Sequence, residues 1–373
     1  MIFGLFFLVL GASGHFTDDF YLQLARNHSH ENVISSPLSV EIAIAMTYLA
    51  AGGKTAWEIE NTLKLPSDRK AVAEKYNELI ENIEGREKVA TLYLANRIYV
   101  VDNYRINPGY NEMVRESFKA EAKSLNVNDP SQAAAIVNKW VNETTRRKID
   151  KLVTEDDVSS SLVMLLNAIY FKGQWQYKFD PGKTQKEDFR VSDQKRVPVE
   201  MMNLKAVLRY GFEESLDVQV VELPFQNSSL NMVIYLPKKV DGLKALEEQI
   251  SGLTVSLRER KVVLKLPKFK IEFTKELSDI LRNMGIREAF ELIADFKDLV
   301  DQEGIYISKV KQKAFIEVNE EGAEAAAATV AVGVMKSFKL GFVLFEADHP
   351  FAFVIRDEKT VYFQGHFVNP EGK

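Results

Sequence analysis

The chain has 373 residues, 46% hydrophobic and 27% charged, a balance found in folded globular proteins and not in disordered or fibrous ones. With 48 Lys and Arg against 53 Asp and Glu the formal charge is −5, so there is no global basic field to hold nucleic acid or an anionic membrane. Cysteine is absent, which removes disulfides, thiol nucleophiles and Cys-based metal sites, and only His15, His28, His30, His349 and His366 remain for imidazole chemistry.

Met1 to Leu10 is an apolar run followed by the small residues Gly11, Ala12, Ser13 and Gly14. Its length suits a secretion signal, residues 1–14, and falls short of the about 20 residues that span a bilayer. It lacks the usual basic residue ahead of the run, and the alternative is a buried N-terminal helix or strand. Sequons at Asn27, Asn142 and Asn227 fit a secreted glycoprotein. No repeat, low-complexity linker or second apolar run of membrane length follows, and 15–373 is expected to be a single soluble domain.

In chain order, apolar residues at 40, 42, 44, 46 and 49 predict a helix over 39–51. Thr55 and Glu58 have the spacing of a capping box opening a helix over 55–65. Segments 68–85, 109–120 and 129–145 also read as amphipathic helices, with Pro108 and Pro130 near two starts. Short β-rich runs lie at 92–101, 161–171, 218–223, 230–236, 262–266 and 352–355. Helices first and mostly strands afterwards predict an α+β fold.

The stretch from Glu320 to Phe338 is Ala-rich in its first half and by propensity alone would be helical. Its parity says something different. Positions 323, 325, 327, 329, 331 and 333 are Ala, Ala, Ala, Thr, Ala and Gly, whereas 324, 326, 328, 330, 332 and 334 are Glu, Ala, Ala, Val, Val and Val. A strand with one uniformly small side can slide between two existing strands without forcing their side chains apart.

Glu320-Glu-Gly-Ala-Glu-Ala-Ala-Ala-Ala-Thr329 resembles the hinge of inhibitory serpins, and further landmarks run in order through nearly the whole chain. They include Asn32-Val-Ile-Ser-Ser-Pro-Leu-Ser39, Gly52-Gly-Lys-Thr55, Asn138-Lys-Trp-Val141 and Asn167-Ala-Ile-Tyr-Phe-Lys-Gly-Gln-Trp175. Glu222-Leu-Pro-Phe225, Leu266-Pro-Lys-Phe269, Asp348-His-Pro-Phe351 and Phe363-Gln-Gly365 complete the series. The resemblance implies three β-sheets, about nine helices and an exposed reactive loop at about 320–342. It implies a monomeric suicide inhibitor, not an enzyme. A serine protease acylates itself on the loop, and loop insertion into the main sheet drags the protease out of shape before water releases it.

Counted along such a loop from Glu320, the specificity residue is Lys336 and the scissile bond Lys336–Ser337, which suits a trypsin-like partner with a carboxylate at the base of its pocket. A slipped register would put Met335, Phe338 or Lys339 there instead. The hinge roles fall on Glu320, Gly322, Ala323, Ala325, Ala327 and Thr329. The resemblance gives Trp175 a place beneath the upper opening of the main sheet, and Ser36, Ser39 and Asn167 a place in the polar cluster where its central strands part. Gln312 stands where many serpins have His, which keeps hydrogen bonding and removes a charge switch.

No cofactor is required; a heparin-like glycosaminoglycan is an optional one, through Arg146, Arg147, Lys148 and Lys151 or through Arg258, Arg260, Lys261 and Lys265, between which the sequence does not choose. No phosphate loop, G-x-S-x-G elbow or HExxH motif occurs, and His28-x-His30 reads as polar surface, not as a metal clip. By analogy with secreted animal serpins, the expected setting is an extracellular immune or coagulation-like cascade. The alternative is a non-inhibitory carrier, chaperone or storage serpin, whose inserting face would carry bulky, charged or Pro residues that 323–333 lack.

Overall fold

The computed structural model describes residues 7–9, 14–84, 90–250, 253–321 and 341–372. Helices dominate the first part: α1 (Gly14–Asn27), α2 (Pro37–Tyr48), α3 (Gly53–Leu63), α4 (Arg69–Glu84), α5 (Pro108–Phe118), α6 (Pro130–Thr144) and α7 (Glu155–Ser159), with α8 (Leu243–Glu247) and α9 (Ser278–Asn283) later. Among them run β1 (Phe7–Val9), β2 (Val33–Ser35), β3 (Ala90–Val101), β4 (Glu121–Leu125), β5 (Val163–Gly173), β6 (Gln185–Arg190), β7 (Arg196–Glu213) and β8 (Val218–Pro224). The rest of the chain is strand-rich: β9 (Asn231–Pro237), β10 (Thr254–Ser256), β11 (Arg258–Pro267), β12 (Phe269–Glu276), β13 (Ile307–Val318), β14 (Phe342–Glu346), β15 (Phe351–Arg356) and β16 (Val361–Phe367).

Local chemistry explains the helix starts. Pro37, Pro108 and Pro130 occupy first-turn positions where a missing N–H costs nothing, each preceded by a side chain, Ser36, Asn107 or Asp129, that accepts a free backbone N–H. The helix expected at 55–65 begins earlier, at Gly53, and the box expected of Thr55 and Glu58 does not form. Thr55 instead donates to Glu288 Oε1 at 2.9 Å, and the Glu58 carboxylate accepts the backbone N–H groups of Arg287 and Glu288, each at 2.7 Å. A distant segment with unsatisfied donors took the carboxylate. A capping box does form at Thr154 and Asp157, opening α7.

Five strands in the order β12-β13-β5-β3-β4 make one sheet. A larger ladder runs β14-β11-β7-β8-β9-β15-β16-β2 with β6 against β7, and β1 pairs with β10. The 18-residue β7 changes partners along its length: residues 201–210 pair with β11 and residues 209–213 with β8. Between the two large sheets lies α2, which is buried all round except at Glu41 and packs on both β5 and β16. The opposite face of the five-stranded sheet is covered by α6, whose Ala133, Ala134, Val137 and Val141 join Leu166, Ala168, Tyr170 and Phe315 in a second core. β13 lies outside the expected strands although Lys309, Lys311 and Lys313 alternate with buried residues, because the polar Gln312 interrupts its inner face of Val310, Ala314 and Ile316.

Candidate functional site

Within the five-stranded sheet, β13 and β5 are parallel neighbours, paired from Ile307 with Val163 to Ile316 with Phe171. The chain leaves β13 at Val318 and re-enters the described structure at Gly341, just ahead of β14 in the other sheet. A segment folding back from the end of β13 runs antiparallel to it, and therefore antiparallel to β5 as well. Placed between them, it exchanges one slanted parallel ladder for two antiparallel ones.

The seam between these strands carries a buried polar cluster on the face toward α2. Gln312 and Asn167 are direct cross-strand partners, and Asn96 faces Asn167 from β3. Gln312 Nε2 donates to Asn167 Oδ1 at 2.8 Å and to the Ser36 carbonyl at 3.0 Å, while its Oε1 accepts from Ser35 Oγ at 2.6 Å and from the Ser36 N–H at 3.3 Å. Asn167 Nδ2 donates to Asn96 Oδ1 at 2.6 Å and to Ser39 Oγ. Ser36 Oγ accepts the Ser39 N–H at 3.2 Å and so caps α2. Ser36, Ser39, Asn167 and Gln312 are thus brought together as expected, and Ser35 and Asn96 join them. Asn96 had a signal in the sequence: an Asn inside a β-rich run is out of place unless something satisfies it.

At the upper end of the seam, Trp175 Nε1 donates to the Asn319 carbonyl at 2.8 Å while its ring stacks on Phe225 at 4.7 Å and 14°. Glu320 is pinned next to it. The Phe179 N–H donates to the Glu320 carbonyl at 3.1 Å, Thr184 Oγ1 donates to its carboxylate at 2.8 Å, and Lys268 Nζ lies 3.1 Å away. Burial pushes this carboxyl up, but its own backbone N–H, Thr184 and Lys268 together hold it below the ordinary Glu value.

Over the other face, the segment after α6 is strapped to β13. Asp157 accepts Lys309 Nζ at 2.7 Å and Lys311 Nζ, and Lys313 Nζ donates to the Lys151 carbonyl at 2.7 Å. Burial raises the Asp157 carboxyl, yet the two ammonium groups and the Thr154 N–H outweigh it and hold it far below the usual carboxylate range.

Gly322, Ala323, Ala325, Ala327, Thr329, Lys336 and Ser337 lie outside the described residues. Asn27 is exposed at the end of α1 and Asn227 is exposed in the turn between β8 and β9, whereas Asn142 is half-buried in α6 with its amide donating to Asp150 at 2.6 Å. Arg146, Arg147, Lys148 and Lys151 are all exposed just past α6, and Arg258, Arg260, Lys261 and Lys265 lie along β11.

A family model for serpins, the serine protease inhibitors, matches residues 11–370. The chain belongs to the serpin family. This serpin is 46% identical over 370 residues to serine protease inhibitor 42Dd of Drosophila melanogaster, with 98% of this chain and 99% of that one covered. It is 34% identical to antichymotrypsin-2 of Bombyx mori over 95% of this chain and 96% of the relative. Its fold superimposes on Serpin48 of the insect Tenebrio molitor with a TM-score of 0.87 at 32% identity, covering 95% of this chain and 96% of that one. The α+β serpin fold expected from the sequence is therefore the fold observed.

Proposed function

We propose that this serpin traps a trypsin-like serine protease as a covalent acyl-enzyme after cleavage at Lys336–Ser337. The protease serine attacks the Lys336 carbonyl, the bond to Ser337 breaks, Ser337 leaves as an amine, and an ester joins the two proteins. The observation that carries the reading is the parallel seam of β5 and β13, with the chain leaving directly from β13 into a stretch whose alternate residues from 323 to 333 are all small in the sequence. About 15 loop residues inserted there would form a similar number of new backbone hydrogen bonds at roughly 1 kcal/mol net each. That is on the order of 10 kcal/mol, comparable to the stability of a whole domain, about 5 to 15 kcal/mol. The trap works if insertion outruns hydrolysis of the ester.

The exposed sequons at Asn27 and Asn227 support action outside the cell, on a protease of an immune or coagulation-like cascade, whereas Asn142 is half-buried and Phe7–Val9 pairs with β10 as the alternative to a leader would have it. The test is incubation with trypsin, denaturing gel electrophoresis and sequencing of the released C-terminal peptide. A stable band near the summed masses with a peptide beginning at Ser337 is expected. Clean cleavage without a complex, across trypsin-, chymotrypsin- and elastase-like enzymes, overturns the inhibitory reading.

A further inference from the structure

β4 pairs with β3 only from Arg97 with Glu121 to Val101 with Leu125. Ahead of Arg97 no described strand lies beside β3 on that side, and a cleft of about 470 Å³ opens there between the strand, α6 and the end of α5. That volume falls in the range of small-molecule sites, roughly 300 to 1,000 Å³.

Two kinds of wall meet in the cleft. Leu94, Ala95 and Ala120, with the Trp140 indole of α6, form an apolar side. Arg97, Arg115 and Lys119 bring three positive charges against one carboxylate, that of Glu121. Glu121 is already shared, with Arg97 Nη2 at 2.6 Å, Arg115 Nη2 at 3.7 Å and Lys123 Nζ at 4.0 Å. Lys119, the left-handed residue that ends α5, is exposed and makes no ion pair among the described residues.

Arg97 joins the two walls. Its guanidinium lies 4.5 Å over the Trp140 ring and 5.8 Å over the Tyr99 ring. Glu121 takes Nη2, and Nη1 donates to Tyr99 Oη at 3.3 Å, whereas Nε is enclosed and meets no acceptor among the described residues. A guanidinium stacked on an aromatic ring suits a planar anion such as a carboxylate, and an enclosed N–H without an acceptor is unfavourable until one binds.

On the far side of Arg115 and Glu121 a second cleft, of about 640 Å³, is lined mainly by polar side chains and carries two carboxylates, Asp102 and Glu121. Of the two, the first has the larger surplus of positive charge and the indole. Asn96, whose Oδ1 accepts from Asn167 in the seam, also lines the first cleft, so an occupant would lie next to the polar cluster.

We propose that the cleft between β3, α6 and the end of α5 binds a small aromatic carboxylate. The ring lies among Leu94, Ala95 and Trp140, and the carboxylate is turned toward Arg97 and Lys119. An anion without a ring would use only the charges, and a neutral aromatic only the apolar side.

The test is calorimetric titration of the intact protein with 2-naphthoate, 2-naphthylmethanol and sucrose octasulfate, and needs no protease. Saturable binding of naphthoate at one site is expected, about tenfold tighter than either comparison compound, the factor that a lost charge-assisted hydrogen bond costs. K119Q, an exposed change, should weaken naphthoate by about three- to tenfold. W140L should weaken it as well, with thermal unfolding as the check that the variant is folded, and R147S/K148Q, outside the cleft, should bind as the parent does. Absence of saturable binding up to about 1 mM overturns the proposal. So does equal affinity for the alcohol or the octasulfate, or an affinity for naphthoate that K119Q and W140L leave unchanged.

Discussion

The seam between β5 and β13 and the antiparallel ladder of β9, β15, β16 and β2 are built on opposite principles. No residue of β15 or β16 is exposed, and Phe269, Phe351, Phe353 and Phe367 stack around them at centroid distances from 4.8 to 6.4 Å. Packing is so close at Gly365 that a Cβ would lie 2.3 Å from the Val33 carbonyl. At the seam the strands are joined by amides and hydroxyls instead: Gln312, Asn167, Asn96, Ser35, Ser36 and Ser39. Hydrogen bonds can be exchanged for equivalent ones with an incoming strand, while lost aromatic packing cannot be regained in the same way. The seam is held by polar contacts and straps, and the ladder behind it is held by shape.

Four substitutions test that contrast, from large effect to small. Phe363→Ala in the packed ladder removes a fully buried ring that lies 5.6 Å from Phe171, and should cost about 3 to 5 kcal/mol in denaturant unfolding. A loss under about 1 kcal/mol would mean that the ladder is as adaptable as the seam.

Asp157→Asn releases Lys309 and Lys311 from their shared carboxylate and should cost about 2 kcal/mol at pH 7. The folded Asp157 carboxyl titrates below its unfolded value of about 3.9, so its stabilisation is complete above that pH and drains away as the pH falls below it. Unfolding midpoints measured from pH 7 down to pH 2.5 should therefore fall less steeply in the variant. Parallel curves would show that the strap contributes nothing to acid sensitivity.

Gln312→Leu strands the Asn167 carbonyl and the Ser36 carbonyl at a buried seam and should cost about 1 to 3 kcal/mol. Because Gln312 carries no titratable proton, that cost should be constant from pH 5 to 8. Trp175→Phe keeps a ring against Phe225 and loses the bond to the Asn319 carbonyl, for about 1 kcal/mol. Hydrogen exchange of the Asn319 and Glu320 amides should quicken in this variant, with the β15 and β16 amides unchanged.

Much of the seam was legible residue by residue. Ser36, Ser39, Asn167 and Gln312 were all marked by the family resemblance. Asn96 stood in a run read as plain strand, and its role depends on a register with Asn167 that lies 71 positions away. Glu58 is the opposite case. Its spacing from Thr55 was a sound local signal, and a backbone segment 229 residues further on took the carboxylate.

The helix starts near Pro108 and Pro130, the small-faced segment after Glu320 and the family to which the chain belongs could be read from the sequence alone, because each is written in neighbouring residues. Which strands flank the chain's point of departure from β13, and which carboxylate straps the lysines of β13, came from the folded packing alone. Those depend on pairings between residues far apart in the chain. Such pairings are set by how the whole core packs, and no local pattern of polarity encodes them.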